Sequence, residues 1–172
     1  WRPQTPDGRW KWILFDTDFG FGLWSPGAVR ATTLDFATEA NGPGWPNPPW
    51  STYLLRKLLF NASFRTDFIN RVCDHLNFTF DPERVRQRID EMSTGLEREI
   101  ERHQSRWPES LTGSDGSAKT WHQSVQSLRD FASLRAAYMK GLLKRKFGLG
   151  YAKRVTLQVT PGDGGAVKVN SL

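Results

Sequence analysis

Two aspartates separated by one residue are the strongest candidates for chemistry in this sequence. Asp16 and Asp18 follow an apolar stretch, residues 10–15, that predicts a short buried strand, and they precede a loop that contains glycine. Side chains alternate along a strand, so the two carboxylates would share one face at a spacing of about 7 Å. Like charges on one face repel unless a cation lies between them. A hard divalent cation such as Mg²⁺ or Mn²⁺, bound to phosphate oxygens on its other side, would meet this need.

A structural interpretation of the same pair stays open. One aspartate would cap a turn, and the other would form an ion pair with a nearby arginine such as Arg30. The remaining metal-ligating residue types add nothing to the metal interpretation. The three histidines lie on three different predicted helices without metal-ligand spacing, so we interpret them as structural. The single cysteine excludes an intrachain disulfide and a thiolate metal site.

Arg135 is the third candidate residue. It falls between the apolar positions Phe131 and Tyr138 of a predicted helix, which draws its charge toward the interior of the domain. A buried charge requires a partner. We therefore predict that Arg135 forms a structural ion pair, either with a carboxylate of the loop that holds Asp16 and Asp18 or with an acid on another helix.

The elements that would position these residues are mainly helical. Apolar periodicity and helix start signals predict four helices, over 52–60, 62–76, 82–107 and 118–147. Residues 16–49 are rich in Gly, Pro and Asn, but they contain two tryptophans and a third, Trp50, follows directly, so we predict an ordered loop. Alternating residues after 150 predict two strands of a hairpin, 155–160 and 166–170. We therefore expect a mainly α (α+β) domain over residues 1–150 and the beginning of a β-rich module or linker over 151–172.

Composition and charge limit the possible functions. The chain has 172 residues, 38% of them hydrophobic and 13% aromatic, which is typical of one globular domain rather than a disordered segment. The net charge of +6 raises the possibility of an anionic partner. The one basic cluster, residues 140–146, lies in the last turns of a predicted helix, where cations also suit the helix dipole. We do not interpret it as a nucleic-acid site. No apolar run reaches the roughly 20 residues that a membrane span needs.

The order and spacing of three motifs resemble the CotH kinase family. The first is Phe-Asp-Thr-Asp-Phe-Gly-Phe-Gly at residues 15–22, which is similar to the family's Trp/Phe-Asp-x-Asp-x-x-Phe/Trp-Gly. The second is a Leu-rich helix with an Asn-x-x-Phe-Arg junction, at residues 54–65. The third is a Phe-Ala-x-x-Arg helix that ends in Phe-Gly-Leu, at residues 131–135 and 147–149. The resemblance covers roughly residues 1–149.

The resemblance implies the helical, C-lobe-like part of an atypical protein-kinase-like fold. Asp16 and Asp18 would hold Mg²⁺ or Mn²⁺ against the phosphates of ATP. The triplet Asp18-Phe-Gly20 matches the one in ordinary kinases, but the family's own glycine aligns with Gly22. Which aspartate contacts the metal directly therefore stays open. The parent protein would phosphorylate Ser or Thr of a coat or exported protein, which implies an extracytoplasmic, secreted or coat-associated location in a bacterium.

The resemblance also implies what this chain lacks. In the family, the glycine-rich loop, the nucleotide-binding lysine and the catalytic base precede the Asp-x-Asp motif, so they would lie upstream of Trp1. We therefore expect a fragment that has no catalytic residue of its own, holds no cofactor tightly and is inactive alone. Two further hypotheses stay open. One is a noncatalytic module whose tryptophan-rich loop binds glycan. The other, weaker one is nucleic-acid binding with strong salt dependence.

Overall fold

The computed structural model describes residues 2–11, 13, 17, 20–23, 25–108, 120–160, 162, 164–165, 167 and 169–170. These residues form helices and connecting loops, and none of them forms a β-strand, so the mainly α class is confirmed. In chain order the helices are a 3₁₀ helix (Pro26–Arg30), α1 (Thr33–Ala37), α2 (Tyr53–Leu58), α3 (Ala62–Asn77), α4 (Pro82–Arg106) and α5 (Trp121–Phe147).

Helices α3 and α4 begin where the sequence predicts, because each has a polar cap. The side-chain oxygen of Asn61 accepts a hydrogen bond from the N–H of Phe64 at 3.0 Å. Asp81 accepts hydrogen bonds from two N–H groups of the first turn of α4, at 3.1 and 3.2 Å, and Pro82 follows it. Both caps satisfy backbone donors that have no partner within the helix.

Helix α5 begins three residues later than predicted. Thr120 and Gln123 form a reciprocal capping box, in which each side chain accepts a hydrogen bond from the other residue's N–H, at 3.2 and 2.9 Å. The predicted start at residue 118 lies outside the described residues. The end at Phe147 is confirmed, because Gly148 takes the left-handed conformation that closes many helices, with φ 62°.

The core lies where α1, α3 and α5 meet. Leu34 of α1 and Leu76 of α3 are buried with the α5 residues Ala136, Leu142 and Leu143, and Leu143 is only 1% exposed. Full burial of one such leucine contributes about 1.5–3 kcal/mol to folding. Partly buried side chains that complete the cluster are Phe68, Val72, Cys73, Met139, Phe147 and Leu149.

Helix α4 packs mainly against α5, and an ion pair between Arg129 and Asp90, at 2.6 Å, joins the two helices. The apolar residues of α4 recur every three or four positions, as at Ile89, Met92 and Leu96, but this stripe is only partly covered. Ile89 is half-buried, whereas Met92 is 61% exposed and Leu96 is also exposed. One neighbouring helix does not cover a stripe about 100° wide, which is the width typical of a packed surface helix.

The predicted strands are not confirmed, because the described residues of these segments form no strand. Trp10 and Ile13 are exposed and belong to no strand, and the other apolar residues of that segment, Trp12, Leu14 and Phe15, lie outside the described residues. Residues 155–160 also form no strand, although their pattern alternates. A strand requires a partner for its backbone hydrogen bonds, and among the described residues this tail has none. The domain boundary at residue 150 stays a prediction.

Candidate functional site

Asp16 and Asp18 lie outside the described residues, so the predicted metal site is not tested by the geometry. The described neighbours show how the chain leaves this segment. The N–H of Gly20 donates a hydrogen bond to the carbonyl oxygen of Thr17 at 2.9 Å. A side chain on Gly20 would meet that same oxygen, since a Cβ there would lie 2.9 Å from it. The middle residue of the motif, Thr17, is therefore hydrogen-bonded to the glycine that follows the motif.

The next two residues have a left-handed backbone. Phe21 has φ 55° and Gly22 has φ 75°. This conformation is uncommon for a residue with a side chain, and it costs about 1–2 kcal/mol unless the surroundings hold it. The surroundings here are the ring of Phe131 on α5, which lies 5.5 Å from the ring of Phe21 between centroids. Strained backbone held by tertiary contacts is typical of functional loops.

Arg135 lies one turn after Phe131 on α5. It donates three hydrogen bonds to residues 29–33, which follow this loop in the chain. Its Nη1 donates to the carbonyl oxygens of Val29 and Ala31, both at 2.8 Å, and its Nη2 donates to Oγ1 of Thr33 at 2.8 Å. Burial lowers the pKa of its guanidinium, which nonetheless stays charged because arginine titrates far above neutral pH. The side chain therefore fastens the 3₁₀ helix and the start of α1 to α5.

The predicted ion pair of Arg135 is not found among the described acids. No carboxylate of helices α1 to α5 lies within ion-pair distance of it, so the expected acid on another helix is not its partner. Pairing with Asp16 or Asp18 stays a prediction. Arg30, the arginine named in the alternative interpretation, lies with its guanidinium 5.8 Å from the centre of the Tyr138 ring.

An apolar cavity of about 450 Å³ lies beside this loop, between α3, α4 and α5. Gly20 and Phe21 form one wall of it, and Arg135 and His75 are its charged or titratable lining residues. The ring of His75 is hydrogen-bonded to Oγ1 of Thr79 at 2.9 Å, which fits the structural role predicted for it. The remaining lining side chains are Val72, Leu76, Phe80, Val85, Phe131, Ala132, Ala136 and Met139.

The other candidate groups do not form a second site. Among the described residues, no group of three or more histidine, cysteine or acidic side chains could hold a metal ion. Cys73 is partly buried on α3. Burial raises the pKa of its thiol, the neighbouring Asp74 raises it further, and Lys140 opposes them. A thiol with a raised pKa is a poor nucleophile.

The basic end of α5 is engaged within the chain. Arg145 forms an ion pair with Asp35 at 3.0 Å, and Nζ of Lys144 lies 3.6 Å from the centre of the Tyr151 ring. Lys144 and Arg145 lie in the last turn of α5, where positive charge also interacts favourably with the helix dipole. None of the helices in the described part of the chain has the length and apolar character needed to cross a membrane.

Sequence reasoning singled out Arg135 but missed the role of Phe131. The available signal was the four-residue spacing of Phe131 and Arg135, which places both on one face of the helix. It could not show what that face contacts, because the contacting residues lie about 100 positions earlier in the chain.

A family model described as CotH kinase protein matches residues 1–139, which is most of the chain. The match includes the Asp-x-Asp motif, the loop after it and the part of α5 that carries Phe131 and Arg135. Comparison with curated proteins and with solved structures gives no significant match. The resemblance predicted from the three motifs is confirmed, and this chain belongs to the CotH kinase protein family.

Proposed function

We propose that this chain is the helical, C-lobe-like part of an atypical protein kinase that transfers the γ-phosphate of ATP to serine or threonine. The observation that supports this proposal is the family match over residues 1–139, which contains the Asp-x-Asp motif. The helical architecture of the described residues is compatible with a kinase C-lobe. The strained turn after the motif also supports a functional loop at this place.

In this proposal, Asp16 and Asp18 hold Mg²⁺ or Mn²⁺. The donor chemistry fits, because these hard cations prefer carboxylate oxygens and are commonly held by one or two carboxylates together with phosphate oxygens. The bound metal would neutralise charge on the phosphates of ATP during transfer. The chain itself would provide the two carboxylates, on a loop that is followed by the contact of Phe21 with Phe131 of α5.

Calorimetric titration of the full-length protein with Mg²⁺-ATP tests the metal site. Asp18→Asn and Asp16→Asn should each weaken binding by at least tenfold, because each removes charge from the metal site. Glu39→Gln, an exposed acid elsewhere in the long loop, is the matched control and should leave binding unchanged. Equal binding by the wild type and both aspartate variants would show that these residues do not hold the metal.

The isolated 172-residue chain is proposed to be inactive. In the family pattern, the phosphate-clamping lysine and the catalytic base precede the Asp-x-Asp motif, and phosphoryl transfer needs the clamp, the base and the metal together. Radiolabelled ATP, incubated with this chain and a general Ser/Thr acceptor, should give no labelled protein. Incorporation of label that is lost in Asp18→Asn would refute the proposed inactivity. The acceptor is proposed to be a coat or exported protein of a bacterium.

Glycan binding is the second candidate, and one observation favours it. Trp45 and Trp50 are 93% and 76% exposed on a loop that Arg56 holds at both ends, by donating to the carbonyl oxygens of Ala40 at 2.6 Å and Pro49 at 2.7 Å. Exposed aromatic rings on an anchored loop are suited to stack against apolar ring faces. Binding to insoluble polysaccharide that Trp45→Ala abolishes and Asp18→Asn leaves unchanged would favour this function over the kinase.

A further inference from the structure

We propose that residues 21–23 and 25–35 are held in a fixed register along α5, and that Phe131 and Arg135 thereby position the Asp-x-Asp loop. The second part of this inference rests on the proposed function, since it assumes that Asp16 and Asp18 bind metal. The first part concerns described residues only. Hydrogen exchange tests the first part, and Mn²⁺ affinity tests the second.

The contacts run in the same overall direction along both segments. Phe21 contacts Phe131, and fourteen residues later in both segments Asp35 forms its ion pair with Arg145. Between these ends, residues 29–33 contact residues 135–139 in the middle of both segments. They join Val29 and Ala31 to Arg135, Arg30 to Tyr138, and Thr33 to both Arg135 and Met139. On α5, residues 131, 135, 138 and 145 follow one another at intervals of four, three and seven residues, so they lie on one face of the helix.

The first anchor is the contact of Phe131 with the two left-handed residues. A Cβ on Gly22 would lie 2.8 Å from Cδ2 of Phe131, so the backbone approaches this ring more closely than a side chain would allow. Phe21 adopts its unfavourable φ while its own ring packs on the same phenyl group. In the sequence, Phe21 follows Asp18 by three residues. A displacement of this anchor would therefore be transmitted to the aspartates through a very short piece of chain.

The second anchor is the guanidinium of Arg135. Its planar group donates to two carbonyl oxygens of one short segment, which fixes both the position and the orientation of that backbone. A lysine at this position would keep the charge, but its one nitrogen could not donate from two fixed positions as Nη1 and Nη2 of Arg135 do. Together the two anchors hold the chain at residues 21–22 and at residues 29–33. Phe131 and Arg135 are thus positioning residues rather than catalytic residues.

The test uses Arg135→Lys and Phe131→Leu, with Arg129→Gln as the matched control. Arg129 lies on the same helix and also makes one partly buried polar contact, but its partner is Asp90 of α4. Amide hydrogen exchange measures whether residues 20–35 stay ordered, and loss of the free Mn²⁺ signal in electron paramagnetic resonance measures metal affinity. Thermal unfolding of each variant separates global destabilisation from local effects.

We expect Arg135→Lys and Phe131→Leu to accelerate exchange in residues 20–35 and to weaken Mn²⁺ binding by about tenfold, the effect typical of residues that orient metal ligands. Arg129→Gln should change neither. Accelerated exchange with unchanged Mn²⁺ affinity would reduce both residues to a structural role and overturn the positioning inference. Unchanged exchange would overturn the register itself. If Asp18→Asn and the wild type bind Mn²⁺ equally, the proposed metal site fails, and the exchange data still decide the register.

Discussion

Gly22 and Phe131 approach so closely that a Cβ on Gly22 would lie 2.8 Å from Cδ2 of the phenyl ring. The glycine also has φ 75°, a conformation that residues with a side chain rarely adopt. Two independent constraints, one steric and one conformational, therefore require glycine at this position. They fix the path of the chain a few residues after the paired aspartates.

Gly22→Ala should lower the free energy of unfolding by about 2–4 kcal/mol, since it adds both a left-handed backbone cost and overpacking against Phe131. Urea denaturation followed by circular dichroism measures this change. Gly141→Ala is the control. Gly141 lies inside α5 with open space around it, so alanine there should stabilise the protein by about 0.5–1 kcal/mol. Equal effects of the two substitutions would contradict the contact between Gly22 and Phe131.

Arg135→Met should cost about 2–3 kcal/mol of unfolding free energy. The substitution keeps an apolar stem but leaves the carbonyl oxygens of Val29 and Ala31 without their charged donor. The matched change, Arg145→Gln, breaks the exposed ion pair with Asp35 and should cost less than about 1 kcal/mol. Chemical denaturation at low and high salt measures the loss of unfolding free energy for each variant. Added salt should reduce the cost of Arg145→Gln more than that of Arg135→Met.

The Cys73 thiol should make stability fall at alkaline pH. Its pKa is raised by burial and by Asp74, so below the ordinary thiol pKa the group is protonated in both the folded and the unfolded chain. As pH rises through that ordinary value, the unfolded chain ionises first and unfolding becomes more favourable, until the folded thiol also ionises. The free energy of unfolding, measured by chemical denaturation between about pH 7 and pH 10.5, should therefore fall more steeply with pH for the wild type than for Cys73→Ala. If the free energy of unfolding fell equally with pH in both proteins, burial would not perturb the pKa of this thiol.

Leu143→Ala should be among the most destabilising single substitutions in the core, at about 2–5 kcal/mol. Leu143 is 1% exposed at the junction of α1, α3 and α5, so truncation leaves a cavity. Leu134→Ala makes the same chemical change on the same helix at a side chain that is 50% exposed, and it should cost less than about 1 kcal/mol. Thermal unfolding of both variants provides the comparison. A similar loss at both positions would mean that α5 does not pack on α3 through Leu143.

The sequence by itself predicted helices α2 to α5, whereas the 3₁₀ helix (Pro26–Arg30) and α1 (Thr33–Ala37) lie within residues predicted to form a loop. The bounds of α3 and α4 and the end of α5 agree with prediction, because they depend on local features such as Asn61, Asp81 and Gly148. The family was also identified from sequence, since three motifs in fixed order do not require knowledge of contacts.

Only the tertiary structure decided which distant residues the side chains of those helices contact. The partners of Arg135 are backbone carbonyl groups, and every residue has one, so no sequence pattern marks them. The contact of Phe131 with Gly22 joins positions more than 100 residues apart, beyond any local periodicity. The alternating residues 155–160 predict a strand, but a strand forms only where a second one pairs with it. Local interactions fix elements, whereas contacts between distant segments fix the site.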